Sequence, residues 1–202
     1  MKYTLGKHNL TGIYEYNDFL EYSKQSIEEL DGAELDETGK KFLEFKKINI
    51  VRSLRIAKTY KPDKELLELF KKIEGKQTWL IFTEDWCGDS AQNLPYLMKY
   101  TSLNPNLDVK IILRDDNIQA LKDYFGKENP LSIPRIIAFD ENRCELFRWG
   151  PRPAKAQELV NRLKEQGLPK EELNKKLHLW YARNKGKELE KEFTDIIGKL
   201  VY

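Results

Sequence analysis

The sequence predicts an α/β protein, with a β-α-β-α-β-β-α core built on a mixed sheet and helical extensions at both ends. Three observations predict it. Apolar residues recur at helical spacing before residue 77 and after residue 166, whereas short β-favouring runs are confined to the stretch between. Two of these runs, Thr78 to Thr83 and Val109 to Leu113, are joined by a helical stretch, so the strands should be parallel. Two more, Ile136 to Phe139 and Glu145 to Trp149, are separated by the turn sequence Asp140-Glu141-Asn142 and should form a hairpin.

Each element follows from its residues. Residues 14 to 30 carry Tyr16, Phe19, Leu20, Ile27 and Leu30, and residues 37 to 59 carry Phe42, Phe45, Ile48, Val51 and Leu54. Both stretches read as amphipathic helices, although Ile48 to Val51 also suits an extended segment. Pro62 opens a third helix, with Asp63 in its first turn and Leu66, Leu67 and Phe70 facing inward. No strand signal precedes residue 77. The run Thr78 to Thr83 leads into Trp86-Cys87-Gly88-Asp89-Ser90 and a helix to about Tyr100, which is a strand, a turn and a helix. A helix over Ile118 to Phe125 follows the second strand, and another runs from Gly150-Pro151-Arg152-Pro153 to about Gln166. Past Gly167, Leu173, Leu177 and Trp180 line one helix, while Leu189, Phe193, Ile196, Ile197 and Leu200 line a second. This divides one folded unit into an N-terminal extension (1–64) packed on the core, the core (65–166) and a C-terminal extension (167–202).

Composition excludes several function classes. At 40% hydrophobic and 34% charged residues the chain can bury a core, so it is not predominantly disordered. Its 35 basic residues are nearly balanced by 33 acidic ones, interleaved along the helices, which speaks against a nucleic-acid groove. Met1 to Gly12 holds no apolar run able to act as a signal peptide, and no stretch approaches a membrane span, so a cytoplasmic protein without a membrane partner is expected. Two cysteines and two widely separated histidines make neither a disulfide scaffold nor a metal site.

The candidate for chemistry is Cys87. At a helix start, unpaired backbone N–H groups and the helix dipole favour the thiolate, the species that attacks a disulfide sulfur. Glu84, Asp85 and Asp89 place negative charge nearby and oppose ionisation, so the sequence leaves the sign of the pKa shift open. A dithiol reductase closes its cycle with a second cysteine three residues on, and Ser90 stands there instead. Serine cannot form that disulfide, although its hydroxyl is able to hydrogen-bond the Cys87 thiolate. Cys144 follows the hairpin turn and should lie at the opposite end of the sheet from Pro134, on the order of 15 Å away by strand rise. That speaks against direct bridging to Cys87.

The element order and the Trp86-Cys87-Gly88 turn resemble the thioredoxin family. Pro95 lies eight residues after the cysteine, where the family kinks its active-site helix; Ile133-Pro134 precedes the third core strand, where it has a cis-proline; and Gly150 ends the last strand. The resemblance covers roughly residues 65 to 166. It looks closest to a bacterial subgroup with Trp-Cys-Gly-Asp and Trp-Gly-Pro-Arg-Pro motifs, here residues 86 to 89 and 149 to 153, with Ser90 in place of the resolving cysteine. The family also keeps a buried Asp six residues before the nucleophile, a position held here by Ile81.

What the resemblance implies is a thiol-disulfide oxidoreductase with Cys87 and Ser90 as catalytic residues. Trp86, Gly88, Ile133, Pro134, Arg135, Gly150 and Arg152 would form the surface that meets substrate, with Ile133 offering its backbone to an extended segment and the two arginines able to bind carboxylates of a thiol peptide. The expected partner is a disulfide-bearing protein or a small disulfide. No cofactor is expected beyond an external low-molecular-weight thiol that resolves the mixed disulfide. The alternative is a binding or trapping module of the same fold without turnover. Monothiol glutaredoxins share Cys-Gly-x-Ser, but their Gly-Gly-x-Asp-Asp glutathione element is missing, which disfavours cluster binding.

Overall fold

A computed structural model describes residues 6, 8–126 and 131–201, leaving half of the Met1 to Gly12 segment read for a signal peptide outside the described residues. In chain order the elements are β1 (Ile13–Tyr14), α1 (Tyr16–Asp31), α2 (Glu37–Thr59), α3 (Lys64–Lys71), β2 (Gln77–Thr83), α4 (Gly88–Thr101), β3 (Leu107–Leu113), α5 (Ile118–Phe125), β4 (Arg135–Asp140), β5 (Glu145–Trp149), α6 (Ala154–Glu165), α7 (Lys170–Asn184) and α8 (Lys187–Val201). The strands form one mixed sheet in the order β1-β3-β2-β4-β5. β2 pairs with β3 in parallel and with β4 antiparallel, and β4-β5 is the expected hairpin.

Alternation along the central strands sorts their side chains onto two faces. Trp79, Ile81, Ile111, Ile136 and Ala138 pack with Phe70 of α3, Leu94 and Leu97 of α4, and Phe193 and Ile197 of α8. Leu80, Phe82, Ile112, Ile137 and Phe139 pack with Ala120, Leu121 and Tyr124 of α5 on the other face. The C-terminal extension therefore completes the core. Phe193 meets the rings of Trp79, Phe147 and Trp149, and the indole of Trp149 donates to Glu192 at 2.7 Å. Each such buried apolar side chain contributes about 1.5–3 kcal/mol of transfer energy. α6 and α7 form a third cluster through Ala156, Val160, Leu163, Leu173, Leu177 and Tyr181.

Three features differ from the sequence reading. A short strand, β1, precedes residue 77 and extends the sheet by pairing antiparallel with β3; two residues are too few for an alternation signal. In α7 the third buried position is Tyr181, with Trp180 only partly covered. Most consequentially, α2 is helical throughout but faces the opposite way to an ordinary amphipathic helix. Phe42, Phe45, Ile48, Val51 and Leu54 are all exposed, whereas Leu43, Asn49, Ser53 and Ile56 are buried.

The cause lies in the loop α2 packs against. Glu84 and Asp85, between β2 and α4, are both buried and need polar partners. Lys46 pairs with the Asp85 carboxylate at 2.8 Å, and the Asn49 amide donates to the Asp85 carbonyl at 3.2 Å. Helix caps fix the ends: Asp36 accepts from the Gly39 N–H, and Asp63 caps α3 by accepting from Glu65 and Leu66, one position outside the first turn. Among the described residues no helix is long and apolar enough to cross a membrane.

Val51→Ser on the outer face of α2 should therefore change stability by less than about 0.5 kcal/mol, whereas Ile56→Ala on its inner face should cost about 2–5 kcal/mol. Urea denaturation of the two variants checks this. Equal losses would mean that the outward stripe is part of the core.

Candidate active site

The parallel and antiparallel neighbours of β2 converge on one point. β2 delivers the chain at Thr83 into a loop that ends at Cys87, the N-cap of α4. Register Phe82↔Arg135 brings the start of β4, and hence Ile133 and Pro134, alongside that loop. The Cys87 thiol donates to the Ile133 carbonyl at 3.3 Å. Both the Ile133–Pro134 and Gly150–Pro151 peptide bonds are cis.

Gly150 has φ +111°, and a Cβ there would lie 2.2 Å from the Pro134 carbonyl oxygen, so only glycine allows the two loops to meet. Arg135 secures the meeting by donating to the Gly150 carbonyl at 2.8 Å and to the Ser132 carbonyl and hydroxyl. Trp86 flanks the thiol between the Phe42 ring of α2, packed edge-on at 5.6 Å, and the Arg114 guanidinium 4.7 Å from its centroid. Arg152 points back to α4, where it grips the Asp89 carboxylate with two donors at 2.6 and 3.1 Å.

The opposing influences on Cys87 resolve upward. Burial pushes the thiol pKa up to about 11 and the Asp89 charge adds to this, against the Ser90 hydroxyl and the Asp89 and Ser90 backbone donors, which lower it. Helix-terminus stabilisation is outweighed by desolvation. Ser90 is itself buried and accepts from the Thr83 hydroxyl at 2.5 Å, a partner that sequence reasoning did not identify. Ile81 is fully buried among apolar side chains. Cys144 is exposed beside the β4-β5 turn, beyond the pair Phe139↔Glu145 and so at the end of the hairpin away from Pro134.

Sequence reasoning also missed what α7 brings. His178 lies over the start of α4, so close that a Cβ on Gly88 would approach its Cε1 to 2.9 Å. Its ring nitrogens lie 3.4 Å from Arg52 on one side and 3.4 Å from Gln92 on the other. Burial, then the Arg52 charge, lower its pKa to about 4, so it is neutral near pH 7. Three residues on, the Tyr181 hydroxyl donates to Asp89 at 2.5 Å and accepts from Asn93 at 3.1 Å. The i, i+3 placement of His178 and Tyr181 is visible in the sequence, but the element they face is not. A cleft of about 360 Å³ opens at the thiol, lined by α2, the Cys87 and Pro134 loops, and α7.

The thioredoxin family model matches residues 37–165, reaching from the start of α2 to the end of α6. No curated protein matches the chain. Among solved structures, a Pseudomonas aeruginosa protein of unknown function is 20% identical with a TM-score of 0.57, the alignment covering 92% of each chain. An HIV epitope-scaffold is 18% identical with a TM-score of 0.52, over 92% of this chain and 99% of its own. These two likenesses are of fold.

Two measurements test the electrostatics. Alkylation of Cys87 by iodoacetamide should rise about tenfold per pH unit from about pH 7 to pH 10, with no plateau below pH 8. Asp89→Asn should lower the pKa and speed the reaction at pH 7 by up to about tenfold. For His178, the unfolded chain binds more protons than the folded one between about 6.5 and 4, so its contribution to stability is present above that window and is lost as pH falls through it. Glu84, raised to about 7 by burial, has the opposite slope. The measurable quantity is therefore the parent-minus-His178→Gln difference in denaturation midpoint, which should shrink on acidification.

Proposed function

The chain belongs to the thioredoxin family, and on that premise we propose that it performs thiol–disulfide exchange through Cys87 alone, with an external thiol completing each cycle. One observation carries this reading: the Cys87 thiol touches the Ile133 carbonyl at 3.3 Å while a buried serine occupies the resolving position. An extended substrate pairing its backbone with Ile133 competes for that carbonyl, displaces the S–H donor from it, and leaves the sulfur facing the Asp89 and Ser90 donors.

The thiolate then attacks one sulfur of the substrate disulfide. A new Cys87–substrate S–S bond forms, the old one breaks, and the departing thiolate takes up the proton released by Cys87. A low-molecular-weight thiol attacks the substrate sulfur of this mixed disulfide, restoring the Cys87 thiol and carrying the substrate sulfur away as a new disulfide. Cys144 takes no part.

The raised thiol pKa favours a second reading, a module that holds a partner as a mixed disulfide and turns over slowly. One experiment separates them. With a glutathionylated peptide and excess glutathione, the exchange reading expects a rate above background that is lost in Cys87→Ser. A Cys87-dependent mixed disulfide that accumulates under excess thiol supports the trapping reading instead, and the absence of both removes a redox role for Cys87.

A further inference from the structure

The exposed stripe of α2 does not stop at its own surface; it forms one wall of a groove that ends at the thiol. The cleft at Cys87 includes Phe42 and Phe45. A second hollow of about 470 Å³ lies farther along, lined by Ile48, Val51, Lys47, Arg55 and Ala182. Arg52 of α2 and His178 of α7 line both, so the two hollows are consecutive parts of one path between the helices.

Its chemistry has two components. Phe42, Phe45, Ile48 and Val51 are 40%, 48%, 47% and 64% exposed, a run of large apolar side chains on the face of a helix that elsewhere buries polar ones. Cations stand among them. Arg52, Arg55 and Lys170 have no carboxylate partner among the described residues, although Arg114, Arg152 and Lys47 are paired with Asp115, Asp89 and Asp31. Among the described residues the second hollow has no carboxylate in its lining, and in the first there is only Asp89, whose oxygens are taken by Arg152 and Tyr181.

From Phe42 to Arg55 the wall runs about 20 Å at the rise of an α-helix. A fully extended tripeptide reaches only about 10 Å. We infer that this groove docks an acidic segment of a protein substrate, with apolar side chains against α2 and carboxylates against Arg52, Arg55 and Lys170, and delivers that protein's disulfide to Cys87. The link to Cys87 rests on the exchange reading above, whereas the docking does not. Charge complementarity selects the partner and speeds encounter, and the apolar wall supplies contact area.

The test uses fluorescein-labelled peptides of about 12 residues, long enough to line the groove, without cysteine and alternating Asp or Glu with Leu or Phe; a matched set carries Lys for each acid. By anisotropy the acidic set should bind at least about tenfold more tightly, and Ile48→Asp with Arg55→Glu should remove that preference. Circular dichroism verifies that the variant folds, and Val51→Asp provides a second exposed change. Uncharged hydroxyethyl disulfide, too small to use the groove, reads Cys87 reactivity separately and should react equally with parent and variant. Equal affinity for both peptide sets overturns the docking while leaving exchange standing. Glutathione disulfide competing as well as the acidic peptide overturns it in favour of a small-anion site, and dimerisation abolished by Ile48→Asp overturns it in favour of a second copy. Acid-selective binding together with an unreactive Cys87 upholds the docking and removes the exchange reading.

Discussion

Asp85 keeps 2% of its side chain exposed, and a carboxylate that buried persists only with a counter-charge brought to it. Lys46 supplies the charge from α2, itself held by the Ser26 hydroxyl of α1 at 2.6 Å. Removing one member of such a pair leaves an uncompensated charge, at a cost of about 3–5 kcal/mol. The orientation of α2 follows from this: Lys46 and Asn49 must face the loop, so Phe42, Phe45, Ile48 and Val51 face away. Because the same loop runs on into Trp86 and Cys87, the pair also sets where that turn sits relative to the helices around it.

At Cys87 two physical effects of similar kind oppose one another. A helix start offers donors to a thiolate, and burial of Cys87, only 7% exposed, near Asp89 disfavours it. Desolvation wins, and Cys87 is a thiol bonded to the carbonyl of Ile133. A protonated, covered cysteine resists adventitious oxidation, which attacks exposed thiolates most readily. The Arg152–Asp89–Tyr181 contacts tie down the carboxylate that would otherwise be the freest charge near the sulfur.

Much of this was legible in the residues. The runs at 78 to 83 and 109 to 113, the hairpin, and the helix following Trp86-Cys87-Gly88 each carry a local signal, and the structure reproduces their order and their parallel and antiparallel pairing. What stayed hidden depended on contacts between distant segments. Periodicity shows that α2 has two faces but not which one meets the protein; that choice is made by Asp85, well beyond it in sequence. For the same reason Arg152 looked available to a ligand until its partner, Asp89, was located, and His178 looked isolated until α7 was seen to lie over Gly88. β1 exists because β3 offers it an edge, not because Ile13-Tyr14 demands a strand.

Gly88 and His178 lie ninety residues apart in a chain made from one end, and their contact sets an order of assembly. During synthesis the sheet strands, Cys87 and the Pro134 loop all emerge before residues 170–184 are available. Throughout that interval Asp89 lacks the Tyr181 hydroxyl and the start of α4 lacks its cover. The growing polypeptide thus presents the start of α4 in a more open setting than the finished molecule does, and α7, among the last elements to emerge, is the one that covers it.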